Sequence, residues 1–314
     1  MSFSLCQTSV GNTGSIQCDI APGIPVLFMI WNGQKAVSEI IGDAFQTFLE
    51  ASSKKSKADS DKVFVFPIIQ DVADASEANT TGSLNQGLTV VLREGKPAYT
   101  FKSQVGISLS KQLRKFNNQN VKVLVLDNHN RVWGVQAGET FRGAQANVFT
   151  TSPKLATGQA VEEGIATITL SFLIASEMND DAAFGEIVSS SDIKGLLDAK
   201  LTNPIAHVSN AYKIAVTIPT SKVGSSIDVL SQFGPQLAAS ALWVAKTGPN
   251  FATTLPITTV AYDPATSTET VTFDTTAFAA LATGAKIQLN LAAPATLDDA
   301  DVTELEGIEV ILTK

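Results

Sequence analysis

Short alternating runs of Val, Ile, Thr, Ser and Ala, cut by Gly, Asn and Pro, fill most of this 314-residue chain. A period of two sends successive side chains to opposite faces of an extended strand, so the pattern constrains the chain towards sheets. Residues 164–174 show it best. Ala166, Ile168, Leu170 and Phe172 share one face, and Ile165, Thr167, Thr169 and Ser171 the other. The whole chain holds only two His and two Cys. This is the composition of a subunit that builds surfaces for copies of itself.

The length exceeds one ordinary hydrophobic core, so two domains are expected, at 1–205 and 206–314. Charged residues make up 17%, low against a typical quarter. Polar but weakly charged surfaces are cheaper to bury against a neighbour than charged ones. Net charge is −8, and residues 206–314 supply −5 of it, with 5 Lys against 10 Asp and Glu. All four Arg (Arg93, Arg114, Arg131, Arg142) precede them. Such a chain binds nucleic acid poorly, because phosphate neutralisation needs clustered cations. It suits a passage through which nucleic acid slides without sticking. The opening MSFSLCQTSVGNTG has no basic start and no long apolar core, so synthesis and assembly in a cytoplasm are expected. The apolar run 24–31 contains Pro25 and is too short to cross a bilayer.

Strands are expected at 25–31, 63–69, 88–93, 98–105, 121–126, 131–135 and 164–174. Helical spacing marks 37–49 and 108–117, the latter with Leu109, Leu113 and Phe116 on one stripe and Lys111, Arg114 and Lys115 opposite. Gly82 to Gly87 reads as a turn. The strands 88–93 and 98–105 read as a hairpin about Glu94-Gly95-Lys96-Pro97, and Asp127-Asn128-His129-Asn130 turns a second one. Residues 178–181 read as a loop, and 193–201 as a short helix stopped by Asn203-Pro204. Beyond lie strands at 212–218, 241–246, 258–262, 269–273, 286–291 and 307–312, with a helix in 227–239. The expected fold is mainly β: a β-sandwich or barrel with one or two packed helices, then a small immunoglobulin-like β-sandwich.

Candidate chemistry is sparse. His129 sits in a polar turn that selects such residues anyway, and His207 lies beside the expected linker. No phosphate-binding loop and no nucleophile elbow is present. Glu177, Asn179, Asp180 and Asp181 suggest a hard-cation loop but lack the twelve-residue spacing and its central Gly, so a solvated loop is expected. The acidic run Asp298, Asp299, Asp301, Glu304 and Glu306 reads as a surface face, with calcium as the alternative. Lys54, Lys55, Lys57 and Lys62 form the one basic cluster, with no aromatic interleaved. It reads as a solvated loop, or as a contact to an acidic patch on the next subunit. Cys6 and Cys18 are either free thiols or a bridge around Gly11-Asn12-Thr13-Gly14. No catalytic residue, metal ligand or cofactor site is assigned.

Cys6, Gly11-Asn12-Thr13-Gly14 and Cys18 resemble the start of virion structural proteins from tailed phages of Bacteroidetes-type hosts. So do Thr81-Gly82, the stretch Val90 to Phe101, Leu113-Arg114-Lys115-Phe116-Asn117, Val132-Trp133-Gly134 and Thr167 to Phe172, over roughly residues 5–185. The arrangement is most similar to a major tail, or tail tube, protein. That resemblance implies a tail-tube-like domain at 1–205 with no catalytic residues. It implies homo-oligomeric, hexameric rings stacked into a tube in the virion, with other virion proteins as partners, DNA passing only transiently, and no membrane. Residues 206–314 would then be an outward decoration domain. The alternatives are a jelly-roll capsid protein and, third, a carbohydrate-binding module or glycan-active enzyme, which the few scattered aromatics disfavour.

Overall fold

The computed structural model of the protein describes residues 23–83, 89–152, 165–179, 181–191, 193–220 and 222–314. Cys6, Cys18 and the motif between them lie outside these residues. The fold is mainly β. The first part runs β1 (Pro25–Ile30), β2 (Gln34–Ala36), α1 (Asp43–Ser53), β3 (Phe64–Val65), β4 (Asp71–Asp74), β5 (Thr80–Ser83), β6 (Thr89–Arg93) and β7 (Ala98–Gln104). It continues with α2 (Ile107–Leu113), β8 (Asn120–Asp127), β9 (Arg131–Ala137), β10 (Thr140–Arg142), β11 (Ala144–Thr150), β12 (Ile165–Phe172), α3 (Ala175–Asn179) and β13 (Ala182–Glu186).

One large sheet orders these strands β2-β10-β9-β8-β11-β12-β7-β4, with β1 along β8, β3 on β1 and β13 on β9. Its centre is buried on both faces, which explains why residues 26–31 are apolar without alternation. Phe28 and Ile30 of β1, with Val121, Val123 and Val125 of β8, point into a core shared with Phe101, Ile168, Leu170 and Phe172. Leu27, Met29 and Trp31, with Leu124 and Leu126, point the other way, onto Phe45 and Leu49 of α1 and onto Ile187 and Ile193. β12 alternates as expected, with Ala166, Ile168, Leu170 and Phe172 buried.

The second part comprises β14 (Leu197–Val208), β15 (Ala211–Pro219), β16 (Ser226–Asp228), α4 (Leu230–Leu237), β17 (Trp243–Thr247), β18 (Thr253–Thr254), β19 (Ile257–Asp263) and β20 (Thr268–Phe273). Then come α5 (Thr275–Ala279), β21 (Lys286–Leu291), α6 (Pro294–Asp298), β22 (Leu305–Ile308) and β23 (Val310–Thr313). Two sheets, β19-β20-β15-β14-β22 and β18-β17-β21-β23, enclose one core from Ala199 to Leu312. α4 lies within the helix expected in 227–239, whereas the parallel β14–β22 pair and the short helices α5 and α6 are features the sequence reading did not include.

Five expectations are corrected. The helical spacing from Val37 is interrupted at Gly42, whose φ of +64° is left-handed, so only a 3-10 turn forms before it and α1 starts after it. Residues 197–201 form a strand and not a helix end: Ala199 and Leu201 are buried in the second core while β15 and β22 flank them. Pro204 is accommodated where the β14–β15 register shifts, between Thr202 and Ile205. The expected division at 205/206 therefore falls inside β14, and the cores part between Ile193 and Ala199. Residues 307–312 are not one strand, because the chain passes from one sheet to the other at Glu309.

The fifth correction concerns the hairpin. β6 does not pair with β7. It pairs back with β5, from Ser83↔Thr89 to Thr80↔Arg93, while β4 pairs with β7, from Asp74↔Tyr99 to Asp71↔Lys102. Glu77 N–H donates to Lys96 O and Ala75 N–H to Ala98 O, which joins the two ladders into one long hairpin over 71–102. Glu94 to Pro97 are therefore within its length; of the turn expected at Gly82 to Gly87, Gly82 belongs to β5 and residues 84–87 lie outside the described residues. A Cβ on Gly95 would sit 1.9 Å from Glu77 O, so only glycine lets the strands close there.

Asp127 fixes the turn between β8 and β9. Its Oδ1 accepts from the backbone N–H groups of His129 and Arg131, at 2.8 and 3.0 Å. Its Oδ2 accepts from Trp133 Nε1 and Gly23 N, at 2.9 and 3.0 Å. Burial raises its pKa, but these four donors outweigh that and leave it below the usual carboxylate value. Asp127→Ala should destabilise the first part by roughly 3 kcal/mol in urea unfolding, because buried donors lose a charged acceptor. A lowered pKa contributes stability above the unfolded carboxyl value and loses it as pH falls through the folded one, so the wild-type loss below about pH 4 should be smaller in the variant.

Candidate functional site

The end of the long hairpin, β5 and β6, stands off the main sheet as an arm. Thr80, Thr81, Ser83, Thr89 and Arg93 are exposed, and so are the apolar Val91 (55%) and Leu92 (68%). Alternation carries Val91 and Leu92 to opposite faces, so the arm is wet on both. Its length is set by about five residues at ~3.3 Å each, so it reaches roughly 15 Å. Within the arm, Arg93 bridges Glu77 at 3.0 Å and Leu92 lies over Gly82. These contacts hold the strands together but bury little.

The basic cluster and the acidic run, far apart in sequence, meet. Asp198 on β14 and Glu306 on β22 are register partners on adjacent parallel strands. Like charges side by side on one face repel, so they require a counter-ion. The loop after α1 supplies it. Ser56 Oγ donates to Glu306 Oε1 at 2.7 Å, and Lys57 N–H donates to both its oxygens, at 3.1 and 3.3 Å. Lys57 Nζ lies 3.6 Å from Asp198, and Lys54 Nζ 2.8 Å from Asp298. Lys194 bridges Glu304 at 2.7 Å next to the passage between the two cores. The loop is held from behind, with Lys55 near Asp59 and Asp61. Lys62 is buried and donates to Ser53 O. Burial pushes its ammonium down to about 8, opposed by Glu306. The neighbour foreseen for these lysines on another subunit is thus found within the chain.

The remaining candidates resolve locally. His129 contributes its backbone N–H to the Asp127 turn. The side chain of His207, and Asp180, lie outside the described residues. Glu177 is buried and accepts from Arg142 Nη2 at 2.7 Å and from Gln145 N–H at 2.7 Å, so its carboxylate ties α3 to β10 and β11. Residues 175–179 are helical where a loop was expected, and Asp181 lies beyond them. Lys111, Arg114 and Lys115 are exposed as expected; Leu113 is buried, but Leu109, foreseen on the same stripe, is 40% exposed. Among the described residues, no three His, Cys, Asp or Glu side chains are grouped to hold a metal ion. Among them, no helix is long and apolar enough to cross a membrane. An open groove of about 590 Å³ lies between β14 and β23, lined by Leu201, Thr202, Tyr212 and Ile311 among others. Its titratable lining groups are Lys200, Tyr212 and Glu309.

One group escaped the sequence reading. Glu269, in an otherwise alternating strand, is fully buried. The signal was present: it occupies the inward register of Val271 and Phe273. Comparison of the chain with protein-family models, curated proteins and solved structures finds no match.

Glu306→Ala should leave Ser56, Lys57 and Asp198 without their shared geometry and weaken the docking of the two cores by about 1–3 kcal/mol. The check is calorimetry of the full chain. The variant should show a second, earlier transition and faster proteolysis near residues 190–196, whereas an unchanged single transition would refute the role given to Glu306.

Proposed function

We propose that this chain is a structural subunit of a phage virion that assembles into stacked rings forming a tail tube. The observation that carries the reading is the arm. A two-stranded ribbon exposed on both faces, with Val91 and Leu92 in water, is marginal alone and gains stability against a neighbour. β4 is an edge strand continuous with β5, so it offers a backbone edge that a sister copy can extend. Contact between an arm and a different surface of the next copy is heterologous, and such contacts close into rings when the rotation permits. The low charge of the chain and its net −8 suit a wall past which DNA moves without binding. The contacts of Ser56 and Lys57 with Glu306 and Asp198 hold the second part to the first, as a decoration on a tube requires. The partners in this reading are copies of the chain and other virion proteins; the location is the virion.

Negative-stain microscopy and sedimentation of the purified protein test it. Wild type should give rings or tubes with six-fold symmetry. Val91→Lys combined with Leu92→Lys should give a folded monomer, since both positions are exposed and the cores do not use them. Closed shells, or a monomer at all concentrations that hydrolyses a glycan, would overturn the proposal.

A further inference from the structure

Glu269 lies on β20 between β15 and β19, with Ile214 and Tyr262 as register partners. It is fully buried, and neither carboxylate oxygen has a hydrogen-bond partner. Buried polar groups are almost always partnered, so this one calls for a reason. The same face of β20 carries the core residues Val271 and Phe273. α4 packs across β19 and β20, and a Cβ on Gly234 would sit 2.5 Å from the Tyr262 ring, so helix and sheet touch without slack.

Among the described residues, the elements packed around Glu269 offer no compensating charge. The helix α4, Leu-Ser-Gln-Phe-Gly-Pro-Gln-Leu, holds no ionisable side chain. On β15 and β19 the charged groups are Lys213 and Asp263, partners of Thr270 and Thr268. Those positions alternate with Glu269 and face the other side of the sheet, where Lys213 and Asp263 bond each other at 3.1 Å. Asp228, ahead of α4, accepts from Leu230 N–H and Ser267 Oγ. Of the tyrosines, Tyr212 donates to Thr313 O, and Tyr262 flanks Glu269 as its register partner on β19.

We propose that Glu269 is a proton-controlled latch in the second sandwich: its neutral carboxyl lets α4 close on β19 and β20, and its ionisation loosens that seam. Burial pushes its pKa up, to about 7. The sign follows from linkage. Below the ordinary Glu value near 4.5 both folded and unfolded chains hold the proton. Between that value and about 7 only the folded chain does, so stability falls as pH rises, and above about 7 it has levelled off at its lowest. One pKa unit is one decade in an equilibrium constant, so the effect has a ceiling of roughly two and a half decades.

Hydrogen exchange of the full chain at pH 5.5 and pH 8, corrected for intrinsic rates, tests this. Protection of Leu230–Leu237 and Thr268–Phe273 should fall at least about 10-fold at the higher pH, with the first part of the chain unchanged. Glu269→Gln, which cannot ionise, should remove the pH dependence. Equal protection at both values, or a difference that persists in Glu269→Gln, would overturn the proposal. Should that variant fail to fold, carbon-13 titration of the Glu269 carboxyl in the wild type decides: a midpoint near 7 supports the latch, and one below about 5.5 refutes it.

Discussion

Backbone hydrogen-bonding groups at the edge of a sheet must find partners, and a ribbon of two strands supplies only half of them. The arm formed by β5 and β6 is such a ribbon. Both faces are wet, and its apolar side chains bury almost nothing within the chain. Around it the protein is conventionally finished, with the main sheet covered on both faces and the second sandwich closed on its own core. The proposed assembly rests on this contrast between two completed cores and one incomplete projection.

Much of the fold was legible because it rests on local periodicity. The alternation of 165–172, the hairpin through Asp127 and the strands at 258–262 and 269–273 all appear where the pattern puts them. What was misread depends on pairing, which a period of two does not encode. Residues 88–93 and 98–105 both look like strands, and both nearly are. Only the ladder shows that each pairs with the chain before Ser83. The stretch 193–201 fails for a related reason: Leu197, Ala199 and Leu201 fit a strand as well as a helix turn, and tertiary partners on both sides decide the matter.

The candidate site was legible as ingredients only. Four lysines and five acidic residues stood out, but nothing in sequence joins Ser56 to Glu306. The physical cause is the parallel β14–β22 pair, which sets Asp198 beside Glu306 and obliges a third segment to neutralise them. Glu269 shows the opposite treatment of a carboxylate. Glu306 is buried and met by donors, whereas Glu269 is buried and met by none. One therefore ties the two parts together through the donors that meet it, and the other favours closure in its neutral form.

Hydrogen exchange of the arm amides, Thr80–Ser83 and Thr89–Arg93, followed from dilute to concentrated protein, addresses the central claim most directly. If sister copies complete the arm, protection there is absent in dilute solution and appears in step with assembly, while protection of β8 and β12 stays constant. Arm amides equally protected at every concentration would mean that the ribbon is self-sufficient, and would contradict the account.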